Sequence, residues 1–157
     1  MRFTRTLVLA VTLAVVALAL LATTASAATV PTSGLFIEGP EHIIDERQVG
    51  DDWWYTIKRE VTVTGTYSGK ARFTELVIIE PDGTTHLYGV MEFAGTVCDQ
   101  HARLRFLVTG HGSQVEGFID GTYVVLDTGR DAGQVVGEGT FTGVPGTAGE
   151  YVGTTDC

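Results

Sequence analysis

From Gly34 to Gly153 no run of apolar residues sustains a helical repeat. The chain breaks instead into short runs of β-branched and aromatic residues, separated by glycine and other turn residues. That pattern confines the fold to an all-β sandwich or barrel. Eight strands are predicted, over 34–38, 53–66, 71–80, 85–94, 103–111, 115–126, 134–142 and 148–154, with 39–52 as the longest stretch outside a strand.

Two connections set an expected register. A two-residue turn at Ser68-Gly69 places Tyr67 opposite Lys70, and one at Asp82-Gly83 places Pro81 opposite Thr84. Counting back, Val63 faces Thr74, Val61 faces Leu76, Arg59 faces Ile78, and Ile78 faces Leu87. With side chains alternating between faces, Ile57, Arg59, Val61, Val63, Leu76, Ile78, Leu87 and Met91 share the interior. Leu104, Phe106 and Val108 alternate with Arg103, Arg105 and Thr109 in the same sense. The exterior then carries Glu60, Thr62, Thr64, Glu75 and Glu92. It also carries an apolar stripe of Val77, Ile79, Tyr88 and Val90, the expected surface for a homo-oligomer contact.

The first 27 residues stand apart. Arg2 and Arg5 precede an uncharged apolar run from Leu7 to Ala22, followed by Thr23-Thr24-Ala25-Ser26-Ala27. Positive start, apolar middle and an Ala-x-Ala end predict a secretory signal peptide over 1–27, cut after Ala27, and a single barrel domain over 28–157. The apolar run falls short of the roughly 20 residues that span a bilayer, so no stable membrane insertion is expected after cleavage. Loss of Arg2 and Arg5 leaves eight basic residues against 19 acidic ones. Such a surface repels phosphate backbones, and nucleic acid is excluded as a partner. In a secreted or extracytoplasmic chain, the two cysteines, Cys98 and Cys157, read as one disulfide. In an up-and-down barrel the connections near Ser68, Cys98 and Arg130 share one end with the C-terminus. The bridge then requires the tail after Gly153 to cross that end.

Several motifs carry a family resemblance. Thr62 to Gly69 reads TVTGTYSG, Pro81 to Gly83 reads PDG, and Gly89 to Val97 reads GVMEFAGTV. Gly121-Thr122-Tyr123 follows, and Val135 to Gly153 closes with VVGEGTFTGVPGTAGEYVG. This order resembles an uncharacterised bacterial family, common in actinobacteria, of the allene oxide cyclase-like barrel superfamily. The closing hairpin also resembles those of allene oxide cyclases and dirigent proteins. The resemblance implies a closed, calycin-like antiparallel barrel of about eight strands, in members that often oligomerise. Met91-Glu92-Phe93 stands where that family often has Glu-Arg-Phe, and no catalytic set transfers.

For chemistry, Arg59 is the most informative residue. Placed in the lumen among Ile57, Val61 and Ile78, it needs a counter-charge. That charge comes from the anionic group of a ligand or from a structural ion pair. Trp53, Tyr55, Tyr123 and Tyr151 fall on inward positions as lining or as core. The histidines (His42, His86, His101, His111) lack ligand spacing, the acidic loop around Asp45, Glu46, Asp51 and Asp52 lacks calcium-loop spacing, and no metal or other cofactor is expected. No nucleophile elbow, P-loop or dinucleotide fingerprint occurs. A one-residue register slip would turn Glu75 and Glu92 inward and admit acid/base chemistry. The expected function is an exported barrel binding a small, mostly apolar or anionic ligand in its lumen. Two alternatives stand beside it: an isomerase or cyclase of allene oxide cyclase type, and a non-enzymatic structural or interaction protein of the cell surface.

Overall fold

A computed structural model describes residues 28–129 and 133–157. The expected signal segment and Arg130 lie outside the described residues. Nine strands follow in order: β1 (Thr29–Glu38), β2 (His42–Val49), β3 (Asp52–Gly65), β4 (Tyr67–Ile79), β5 (Thr84–Val97), β6 (Gln100–Ser113), β7 (Phe118–Asp127), β8 (Val135–Val144) and β9 (Ala148–Asp156). Among the described residues there is no helix. Each strand pairs antiparallel with its sheet neighbours, and β1 pairs with both β9 and β3. The ring β1-β9-β8-β7-β6-β5-β4-β3 is therefore a closed eight-stranded barrel, with β2 as an additional strand.

β2 occupies most of the stretch expected to lie outside a strand. Its sequence, HIIDERQV, has no alternation, and all eight residues are exposed. It is held by main-chain pairing to the first half of β3, from His42↔Lys58 to Val49↔Asp52. β1 pairs with the second half of the same β3 edge. An edge strand with no buried face leaves no hydrophobic period to detect.

The expected register of β4 is corrected. The Asp82-Gly83 connection is a three-residue loop, with Glu80 opposite Thr84 through Glu80 N–H to the Thr84 carbonyl at 2.9 Å. The Gly83 N–H closes the loop on the Glu80 carbonyl, also at 2.9 Å, and Gly83 takes φ +88°. A type I turn followed by a left-handed glycine accommodates this extra residue. The β3–β4 bend lies at Gly65-Thr66 rather than at Ser68-Gly69. There the Thr66 N–H donates to the Ser33 carbonyl of β1 at 3.0 Å, and Val61 pairs with Ala71. Both changes turn β4 over. Ala71, Phe73, Glu75 and Val77 face the lumen, while Leu76 and Ile78 face outward. The outer stripe is accordingly Leu76, Ile78, Tyr88 and Val90. Val77 is buried, and Ile79 lines the mouth of the barrel. Glu92 stays outside, paired with Arg105 at 2.9 Å.

The other inward residues lie as expected, and Val61, Val63, Leu87, Leu104 and Phe106 join Phe73, Phe93, Val125 and Phe141 in one core. Glycine in the wall makes room for the aromatic rings. Gly139 and Gly153 pair directly, and a Cβ on either would meet the Tyr123 hydroxyl at 2.5 or 2.7 Å. A Cβ on Gly89 would meet the Phe73 ring at 2.3 Å. Small residues opposite large ones fill a small barrel.

Cys98 and Cys157 form a disulfide, with Cα atoms 5.9 Å apart. The two come from walls four strands apart in the ring. The crossing is not made by the tail, because β9 remains paired to β1 as far as Asp156. It is made by the tip of the long β5–β6 hairpin, which runs past its last pairing with β7 at Leu104↔Asp127. Its two-residue turn holds Cys98 and Asp99 at φ 51° and 62°.

Candidate functional site: the lumen and its charged mouth

The lumen contains two spaces whose walls share Glu38, Leu87 and Ile119. The inner one, toward the disulfide end, is a cavity of about 70 Å³ with an almost wholly apolar lining. The outer one, about 240 Å³, opens at the opposite end. One water needs roughly 10–15 Å³ on this scale, so both exceed single-water voids.

At the base of the outer space Arg59 enters from β3. Its side chain is 4% exposed. Nη1 meets Glu38 at the end of β1, and Nη2 meets Glu75 of β4 as well as Glu41, the last at 3.1 Å. Glu38 is fixed further by the Gly146 N–H at 2.8 Å, which ties the β8–β9 turn to the cluster. Glu75 is 1% exposed, whereas Glu41 is half in solvent. Burial pushes the Glu75 carboxyl up to about 7, with Arg59 pulling it down and Glu38 adding to the rise. Burial also raises Glu38, again opposed by Arg59. Three carboxyl groups thus surround one guanidinium. Arg59 Nε is buried and makes no hydrogen bond among the described residues, whereas Glu75 Oε1 is held by Arg59 Nη2.

The five residues singled out from sequence do not converge. Arg59 and Tyr55 border the outer space. Trp53 shares their face but stands on the rim, 42% exposed, stacked on Tyr55 with ring centroids 6.2 Å apart. Tyr123 and Tyr151 lie in the inner cavity, within an aromatic cluster with Tyr67, Phe93 and Phe106. Their hydroxyls serve the wall. Tyr123 shares a hydrogen bond with Thr32 at 3.2 Å. Tyr151 accepts the Tyr67 N–H at 3.0 Å and donates to the Thr64 carbonyl at 3.1 Å, pinning the β3–β4 bend.

Sequence reasoning admitted Glu75 inside only through a one-residue register slip, and did not single out Glu38 or Glu41. Glu75 was placed outside by the two-residue reading of Pro81-Asp82-Gly83, and a three-residue loop would have turned it inward. Glu38 and Glu41 flank Gly39-Pro40 at the end of β1 and carry no periodic signal. Tyr67, expected beside the Ser68-Gly69 turn opposite Lys70, is fully buried, and burial pushes its hydroxyl up to about 12.

Among the described residues no group of His, Cys, Asp or Glu is arranged to hold a metal ion. All three glutamates are engaged by Arg59. No protein-family model matches the chain, and no curated protein matches it.

Proposed function

We propose that this protein is an exported lumenal binder, a barrel of the allene oxide cyclase-like kind. It takes a small, mostly apolar molecule through the mouth opposite the disulfide. The observation that carries this reading is the outer space itself. It has room for a small molecule and apolar walls from Ile57, Val77, Ile79, Leu87 and Ile119. At its base stand the carboxyl groups of Glu38, Glu41 and Glu75 around Arg59, whose buried Nε has no hydrogen-bond partner among the described residues. A mostly apolar pocket with a few convergent polar groups is the usual form of a small-molecule site. The disulfide is compatible with an oxidising, extracytoplasmic setting.

The neutral fluorescent probe N-phenyl-1-naphthylamine tests the reading. Its emission is expected to rise on mixing with the protein and to stay low with Ile79→Trp, which plugs the mouth at a half-buried position. Dark probe, or emission indifferent to the plug, would count against lumenal binding.

A second reading is supported by one observation. Glu75 lies in the lumen and titrates near neutrality, as a general acid or base requires. On that reading the barrel shapes a flexible substrate for isomerisation. Glu75→Gln would then abolish turnover of a bound substrate while leaving its binding intact.

A further inference from the structure

We infer that the lumen selects an uncharged oxygen acceptor, and that the ligand class is a small apolar carbonyl compound whose oxygen accepts from the Arg59 Nε–H and whose alkyl part lies along the lumen walls. The inference rests on the lumenal reading above and specifies the ligand for the same site.

The state of one guanidinium carries it. Arg59 projects into the barrel from β3, its side chain is 4% exposed, and it borders the outer space. Nη1 is engaged by Glu38, and Nη2 by Glu41 and Glu75. Nε is buried with no hydrogen-bond partner among the described residues. A buried N–H without an acceptor has lost its hydration and gained nothing in exchange, and the loss is larger on a charged group. What the site lacks is therefore an acceptor, and the space that Arg59 borders can admit one.

The surrounding charge decides which acceptor. An anionic head would approach a guanidinium already met by three carboxyl groups, with like charges at close range. A cationic head offers only donors and leaves the Nε–H unmatched, as does a pure hydrocarbon. A carbonyl oxygen brings lone pairs without charge, and its hydrogen bond from a charged donor is roughly twice as strong as one from a neutral donor. Leu87 and Ile119, shared with the inner apolar cavity, suit the alkyl part.

Displacement of bound N-phenyl-1-naphthylamine from the disulfide-bonded protein by 2-octanone, 2-methyl-1-octene and octanoate tests this. The alkene has the shape of the ketone, with a methylene group in place of the oxygen, and water holds it less well. A lumen with no free donor therefore favours the alkene. The ketone is expected to displace the probe at about tenfold lower concentration than the alkene, the scale of one hydrogen bond to a charged group, with octanoate weakest. Arg59→Lys keeps the positive charge and brings three N–H groups for the three carboxyls, but has no Nε. It should abolish the advantage of the ketone. A readout that needs no variant is the infrared carbonyl stretch of isotope-labelled 2-octanone, expected at lower frequency on the wild-type protein than in hydrocarbon solvent. An alkene as effective as the ketone, octanoate tightest of the three, or an unshifted stretch would overturn the carbonyl inference and leave lumenal binding standing. A probe that stays dark with the protein would remove both.

Discussion

Glu75 and Arg59 form an ion pair inside the barrel, with side chains 1% and 4% exposed, and they come from adjacent strands at the base of the outer space. Because Glu38 and Glu41 share the same guanidinium, the pair is part of a cluster with more acid than base. Its stability should follow the protonation of its carboxyl groups.

Replacing Arg59 by Met leaves buried carboxylates without their counter-charge. The expected cost is about 3–5 kcal/mol at pH 8, the range for breaking a buried pair from one side. It should shrink toward pH 5 as Glu75 and Glu38 take up protons. Urea unfolding at the two pH values measures this, and a pH-independent cost would speak against the cluster.

Glu75 itself gives the wild-type protein a pH dependence of known sign. Its folded-state value of about 7 lies above the ordinary 4.5. It therefore contributes stability that is fully present below pH 4.5, declines above it, and is lost as pH rises through about 7. The shift corresponds to on the order of 3 kcal/mol. Glu38 is raised too and acts in the same direction. Comparing Glu75→Gln with wild type from pH 4.5 to pH 8 isolates the effect, and the variant's stability curve is expected to be flatter.

Tyr151→Phe removes the hydroxyl that receives the Tyr67 N–H and donates to the Thr64 carbonyl. The Tyr67 amide is then left buried and unpaired. A loss of about 1–3 kcal/mol is expected, read from thermal or urea unfolding. Amide exchange at Tyr67 should accelerate at the same time.

The Cys98–Cys157 bridge closes a loop of 59 residues. Replacing both cysteines by Ser is expected to cost up to about 4 kcal/mol by release of chain entropy in the unfolded state. The lumenal residues should keep their positions, because β9 is paired along its length to β1 and β8. Unfolding midpoints together with the NMR spectrum of the lumen test both parts.

The barrel was legible because its walls obey the strand period. β3, β5 and β6 alternate cleanly, and Leu87, Leu104 and Phe106 point inward as their spacing requires. β2 was not legible, since a fully exposed strand held by its backbone carries no period. The site was legible only through Arg59, a charge on an apolar face that had to find a partner. Of its partners, Glu75 was hidden by the register at Pro81-Asp82-Gly83, while Glu38 and Glu41, beside Gly39-Pro40, carry no periodic signal. In a sheet a single residue moves every side chain of a strand to the other face, so a small error in a turn placed Glu75 and Val77 outside and Leu76 and Ile78 inside.

The central claim is that the lumen holds a molecule. Native mass spectrometry of the protein recovered from the cells that produce it tests this most directly. The expected result is a mass above that of the disulfide-bonded polypeptide, falling to the polypeptide mass on denaturation, with release of a small, mostly apolar species. A polypeptide mass alone under native conditions, unchanged on addition of N-phenyl-1-naphthylamine, would contradict it.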